Sequence, residues 1–129
     1  MGRYTLGELQ HAIMRVLWER EAATVAEVHQ ALLPDRGLAP TTIATMLRKM
    51  EGKGVVNHHV EGRHFVYRPT VSEEEIQSSM LGELLDRLFA GDPAALVAHL
   101  VADRGIDEEE IERLRGLLDE AESGKDTQQ

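Results

Sequence analysis

The chain has 129 residues, 42% hydrophobic and 29% charged, enough for one ordinary domain or two small ones. It contains no cysteine, which excludes disulfides and thiolate metal sites, and no apolar run nears the ~18 residues that a membrane span needs. The net charge of −9 argues against nucleic acid as a partner, but the charge is unevenly placed: residues 1–70 carry nine Lys/Arg against seven Asp/Glu, and residues 71–129 five against sixteen.

Thr5-Leu-Gly-Glu8 has capping-box spacing, so a first helix is expected from there, with Leu6, Leu9, Ile13, Val16 and Leu17 inward and Trp18 near its end. Glu21-Ala22-Ala23 reads as a short connection. Thr24-Val-Ala-Glu27 repeats the capping box and opens a second helix with Val25, Val28 and Leu32 inward, ending at Pro34. Asp35-Arg36-Gly37 is a turn signal.

The third helix is expected over residues 40–54. Pro40 suits a first turn, where its missing N–H costs nothing, and Gly54 suits a helix end. Ile43, Met46, Leu47 and Met50 make one apolar stripe. Thr41, Thr42, Ala44, Thr45 and Arg48 lie away from it, with Lys49 on the flank. Small hydroxyl and methyl groups beside a guanidinium suit the floor of a DNA major groove, where Thr and Ala meet thymine methyls and Arg grips guanine with two bonds. The plainer alternative is an amphipathic helix whose outer face is only solvated.

After Gly54 the period changes from 3.6 to 2. Val55 to Val60, Glu61-Gly62-Arg63 and His64 to Arg68 read as a hairpin, with Phe65 and Tyr67 on one face and Val66 and Arg68 on the other. A hairpin directly after such a helix is a wing, whose tip at Gly62-Arg63-His64 is placed to meet a phosphate backbone or a minor groove. Trp18, Phe65 and Tyr67 are most simply core residues. His58, His59 and His64 crowd the wing, but neighbours in a strand face opposite ways, so His58 and His59 do not form a metal pair, and no metal or cofactor is expected.

Residues 69–72 mark a boundary. Ser72-Glu-Glu-Glu75 caps a helix carrying Ile76, Met80, Leu81, Leu84, Leu85, Leu88 and Phe89. Gly91-Asp92-Pro93 breaks it, and a short helix follows with Leu96, Val97, Leu100 and Val101. Asp107-Glu-Glu-Glu110 caps a last helix with Ile111, Leu114, Leu117 and Leu118, and residues 123–129 read as a disordered tail. Three helices in about 50 residues bury such wide stripes poorly alone, so a second copy is the simplest partner. Ile76, Met80, Leu81, Leu84, Leu85, Leu88, Leu96, Leu100, Leu114 and Leu117 are the candidate dimerisation residues. The expected organisation is therefore mainly α with a small β-hairpin: a winged helix-turn-helix over 1–70, a three-helix dimerisation domain over 71–122 and a tail.

The ordered set of segments resembles the BlaI/MecI/CopY family of bacterial winged-helix repressors. The residues that carry the resemblance are Leu6-Gly-Glu-Leu9 with Ile13-Met14 and Leu17-Trp18, Thr24-Val-Ala-Glu27-Val28, Thr41-Thr-Ile-Ala-Thr45 with Leu47, Arg48 and Lys53-Gly54, Gly62-Arg63 with Phe65 and Tyr67-Arg-Pro69, and Val71-Ser-Glu-Glu74. The spacing continues through Leu88-Phe-Ala-Gly91 and Leu96-Val97 to residues 107–118, so the likeness covers residues 4–120. It implies a homodimer on a palindromic operator, often of TACA/TGTA half-sites, that occludes RNA polymerase; with no membrane span or signal-peptide pattern read in the sequence, a cytoplasmic location is the default expectation. Thr41, Thr42, Thr45 and Arg48 match the DNA-reading positions, and Arg63 matches the wing contact. Two departures stand out. The copper-responsive branch uses a C-terminal cysteine cluster, absent here, and the beta-lactam branch is released by a regulatory protease at an Asn–Phe bond, where this chain has His99-Leu100. No P-loop, GxSxG, HExxH or GxGxxG is present, so no enzyme is expected. The alternatives to a repressor are a winged-helix regulator with a small-molecule pocket and a winged-helix protein-interaction module.

Overall fold

The computed structural model describes residues 6–127. The element order is α1 (Glu8–Arg20), β1 (Ala23–Thr24), α2 (Val25–Arg36), α3 (Pro40–Lys53), β2 (Val56–Glu61), β3 (His64–Pro69), α4 (Glu73–Phe89), α5 (Pro93–Arg104) and α6 (Glu108–Thr127). The chain divides into two compact units, Met1–Leu84 and Leu85–Gln129.

The first unit holds the core. Ile13, Met14 and Leu17 from α1, Val28 and Leu32 from α2, and Ile43, Leu47 and Met50 from α3 are buried together with Val55, Val56 and Tyr67. Periodicity in each helix places one stripe inward, and the stripes meet. The sheet is antiparallel in the order β1-β3-β2. Val56 pairs with Pro69 and Glu61 with His64, which leaves Gly62-Arg63 as a two-residue turn. Gly62 takes a φ of 62°, the left-handed conformation that a tight hairpin demands and that glycine adopts without strain.

Several local expectations are corrected. The first helix starts at Glu8, with Gly7 as its cap, and Thr5 lies outside the described residues. Ala23 and Thr24 are a strand as well as a connection, pairing with Tyr67 and Val66. A two-residue strand has no period to detect, so only its partner β3 reveals it. Pro34 lies inside α2, which runs to Arg36 and closes on Gly37 at φ 58°. Near the C-terminus of a helix one lost N–H bond is tolerable, and the glycine is the true stop. The last helix continues to Thr127, through residues read as a tail; residues 121–127, AESGKDT, contain no proline to stop it.

The larger correction concerns where α4 belongs. Ile76, assigned from its stripe to dimerisation, is 1% exposed within the core of the first unit, and Met80 packs against the same cluster. The Trp18 indole N–H donates to the Val71 carbonyl at 2.9 Å, which ties the chain leading into α4 back onto α1. The winged domain therefore extends past residue 70, and the compact division falls at Leu84/Leu85. Sequence period locates an apolar face but not the surface it meets.

In the second unit, the Asp92 carboxylate accepts from the Ala94 N–H at the start of α5, and Asp107 and Glu110 cap α6 reciprocally. Leu88, Val97, Leu100, Val101, Leu117 and Leu118 are all exposed.

Ile76→Ala lowers the unfolding free energy of a 1–84 fragment by about 2–5 kcal/mol in urea titration, although the fragment lacks most of the helical half. Thr24→Ala costs about 1 kcal/mol, because Thr24 Oγ1 accepts from the Glu27 N–H while Glu27 Oε1 accepts from the Thr24 N–H. The backbone bond from Thr24 and then its hydroxyl hold the Glu27 carboxyl below its ordinary pKa. A depressed folded value stabilises above the unfolded pKa and is lost as pH falls through the folded one. The penalty of Glu27→Gln therefore narrows in acid, whereas that of Thr24→Ala, which leaves the backbone donor in place, changes less, as urea titrations over a descending pH series measure.

Candidate nucleic-acid interface

The third helix is placed by what it buries. Ile43, Leu47 and Met50 are 1% exposed or less, which fixes its rotation and turns Thr41, Thr45, Arg48 and Lys49 to solvent, with Thr42 and Ala44 half-buried beside them. Its start is set by Pro40 in the first turn and its end by Gly54 at φ 84°. The loop that leads into it is pinned as well: the His29 ring places Nε2 at 2.7 Å from the Leu38 carbonyl, so Nε2–H donates. Lys53 Nζ, from the last turn, donates to Gln10 Oε1 of α1 at 2.7 Å.

The wing is joined to this helix at two points. The Thr70 N–H donates to the Val55 carbonyl at 2.9 Å, and the Thr70 hydroxyl to the Gly54 carbonyl at 2.5 Å. His58 Nδ1 lies 2.7 Å from Glu51 Oε1, linking β2 to the C-terminal turn of α3. Buried at the base of the wing, Tyr67 has its phenol pKa pushed up by desolvation, then by Glu51, with Arg48 opposing.

An open groove of about 250 Å³ lies between α3, the wing and the first turn of α2. Ala44 and Arg48 line it from α3, Arg63, His64 and Phe65 from the wing, Thr24 from β1, and Val25 and Ala26 from α2. The fold thus brings Arg48 and Arg63 to one cleft, although they lie fifteen positions apart in the chain. Arg48 Nη2 is 3.4 Å from Thr45 Oγ1, so its guanidinium lies along the outer face of its own helix. Thr41, Thr42, Thr45 and Lys49 stay on that face outside the cleft lining.

Two features were not legible in the sequence. Thr24 to Ala26 carry a capping signal that explains them without a surface role, and only the tertiary fold brings them beside α3. Phe65, expected in the core, is 47% exposed and lines the cleft. Its alternation with Tyr67 gave its face correctly but not its depth. Of the wing histidines, His58 pairs with Glu51, and His59 Nε2 lies 2.6 Å from Glu61 Oε2 on the other face. Among the described residues no group of three His, Cys, Asp or Glu gathers to hold a metal ion, and no helix is long and apolar enough to cross a membrane.

Three helices, a three-stranded sheet with a hairpin beside the third helix, and two arginines in the intervening cleft define a winged-helix DNA-binding protein. The profile of the penicillinase repressor family matches residues 6–120. The chain is 30% identical over 120 residues to the penicillinase repressor of Bacillus licheniformis, across 93% of this chain and 94% of that one. It is 35% identical over 121 residues to the transcriptional regulator BlaI of Mycobacterium tuberculosis, across 92% and 86%. The solution structure of monomeric Bacillus licheniformis BlaI in complex with the blaP half-operator superposes at a TM-score of 0.50 with 34% identity, across 57% of this chain and 90% of that one. The chain belongs to the penicillinase-repressor family, whose members are transcriptional repressors and not enzymes.

The two arginines are expected to differ in kind. Arg48→Ala costs about 1–3 kcal/mol of binding and relaxes preference at one base pair, whereas Arg63→Ala weakens all duplexes alike and lowers the slope of log K against log salt by about 1. Equilibrium titrations on a panel of single-base operator variants, repeated over a salt series, separate the two effects.

Proposed function

We propose that this repressor works as a cytoplasmic homodimer that occupies a palindromic operator and excludes RNA polymerase. The observation that carries the reading is the convergence of Arg48 and Arg63 on one cleft beside a helix face of Thr and Ala. In this reading α3 lies in a major groove, Thr41, Thr42, Ala44 and Thr45 allow close approach and meet base edges, and Arg48 grips a guanine. Lys49 and Arg63 hold phosphates on either side. A net charge of +2 over residues 1–70 gives one such domain little non-specific affinity, so two copies on one duplex supply what one lacks.

The candidate dimer surface is the apolar face of the C-terminal helices. Leu81, Leu84, Leu88, Leu100 and Leu117 are exposed, and Leu85, Leu96 and Leu114 are half-buried. Single exposed leucines need no explanation, but a set this large on successive helices fits a partner. A second copy places two recognition helices on one face of DNA, with half-site centres about 10 base pairs, or a multiple of that, apart. The geometry at His99–Leu100 does not favour release by a regulatory protease. That bond lies within α5, the His99 ring is paired with Asp103 at 2.8 Å, and the residues depart from Asn–Phe.

The test is a gel shift on the DNA upstream of the gene, with excess non-specific competitor. A discrete, competitor-resistant complex that footprints on a symmetric site is the expected result, and binding to a protein but to no DNA would replace this reading with an adaptor. In equilibrium sedimentation the native chain is expected as a dimer at micromolar concentration, with Leu88→Asp shifting it to monomer. A monomeric native chain would remove the dyad from the argument.

A further inference from the structure

Phe65 is out of place for an aromatic residue. It shares a face of the wing with Tyr67, yet Tyr67 is 2% exposed and Phe65 is 47% exposed. The side chain directly opposite it in the ladder, Val60, is 60% exposed, so two apolar groups sit together near the wing tip. Nothing in the core requires them there.

The ring is nevertheless held firmly. His58 stacks against it with centroids 4.2 Å apart and planes 18° from parallel. Tyr67 meets it edge-on at 6.4 Å. The stacked His58 is itself fixed by Glu51 of α3 at 2.7 Å. One side of the Phe65 ring is thus braced through His58 to the recognition helix, and its free part faces the cleft that Ala44, Arg48 and Arg63 also line.

The charge of the cleft selects its occupant. Two arginines line the same cleft as the exposed ring, which suits an apolar surface embedded in a polyanion rather than an apolar peptide. In a DNA duplex such carbon surface is the thymine C5 methyl at the major-groove edge or the deoxyribose between two phosphates. We propose that Phe65 is a DNA-contact residue: its braced ring packs against carbon of one operator strand between the groups held by Arg48 and Arg63, adding affinity that salt does not screen. Val60 extends the same surface. This inference rests on the repressor reading and assigns a further residue to it.

The test uses the full-length chain and the operator duplex recovered by footprinting, titrated over a salt series. Phe65→Gln is expected to weaken binding about tenfold at every salt concentration with an unchanged log–log slope, because it removes roughly half a phenylalanine's burial and no charge. Phe65→Leu, which keeps an apolar body, is expected within about threefold of the native chain, and both variants should melt near the native temperature. Operators with single thymines replaced by uracil then identify the carbon. A Phe65→Gln loss that shrinks at one position assigns the methyl, and a loss unchanged at every position assigns the deoxyribose. Native-strength binding by Phe65→Gln overturns the inference, as does a loss that flattens the salt slope in the manner of Arg63→Ala. A native chain that selects no operator removes the repressor reading and this contact together, whereas native selectivity with an indifferent Phe65→Gln removes the contact alone.

Discussion

The rest of the structure depends on the burial of one stripe of α3. Ile43, Leu47 and Met50 are held against Ile13, Met14 and Leu17 of α1 and Val28 of α2, all at 1% exposure or less. A helix locked along one side has no freedom to rotate, so its other side is fixed in space. The outer face of α3 follows from that: the hydroxyls, the alanine methyl and the Arg48 side chain leave the helix where the buried side chains force them to. A core substitution that let α3 roll by a fraction of a turn would misdirect the reading face without touching any residue on it.

The wing depends on the same helix at one remove. Val55 and Val56 are buried immediately after α3 ends, and the Thr70 bonds close the base of the hairpin onto the Gly54–Val55 corner. The Glu51–His58 pair adds a side-chain strut from the last turns of α3. Helix and wing are therefore one device, and the backbone positions of Arg48 and Arg63 are fixed relative to each other. The single Gly62 lets the hairpin turn within two residues and keeps the tip short.

Charge and apolar surface divide the labour between the two ends of the chain. The DNA-facing end is nearly neutral, and its cations act through placement, not number. The C-terminal end is strongly acidic and exposes an apolar face that a second copy suits. An acidic helical half also keeps that face off phosphates, so the two surfaces do not compete for one partner. Dimerisation would then supply through avidity the affinity that a net charge of +2 does not.

Helical and strand periods, capping boxes, Pro40, Gly54 and the Gly62 turn were enough to locate the helices and the wing, though not the ends of α2 and α6, because local propensity and side-chain period act within a few residues. They also identified the outer face of α3 and the arginine at the wing tip. They did not decide depth or partnership. Phe65 and Tyr67 share one alternation but differ from 47% to 2% exposure, since only the tertiary packing sets which of two residues on a face reaches the core. Ile76 belongs to an apolar stripe whose first turn is buried in the winged domain, where a neighbouring surface and not the stripe itself made the choice. The two-residue strand β1 exists only because β3 passes beside it. The meeting of Arg48, Arg63 and Phe65 in one cleft is likewise a product of long-range contacts, which no local sequence signal encodes.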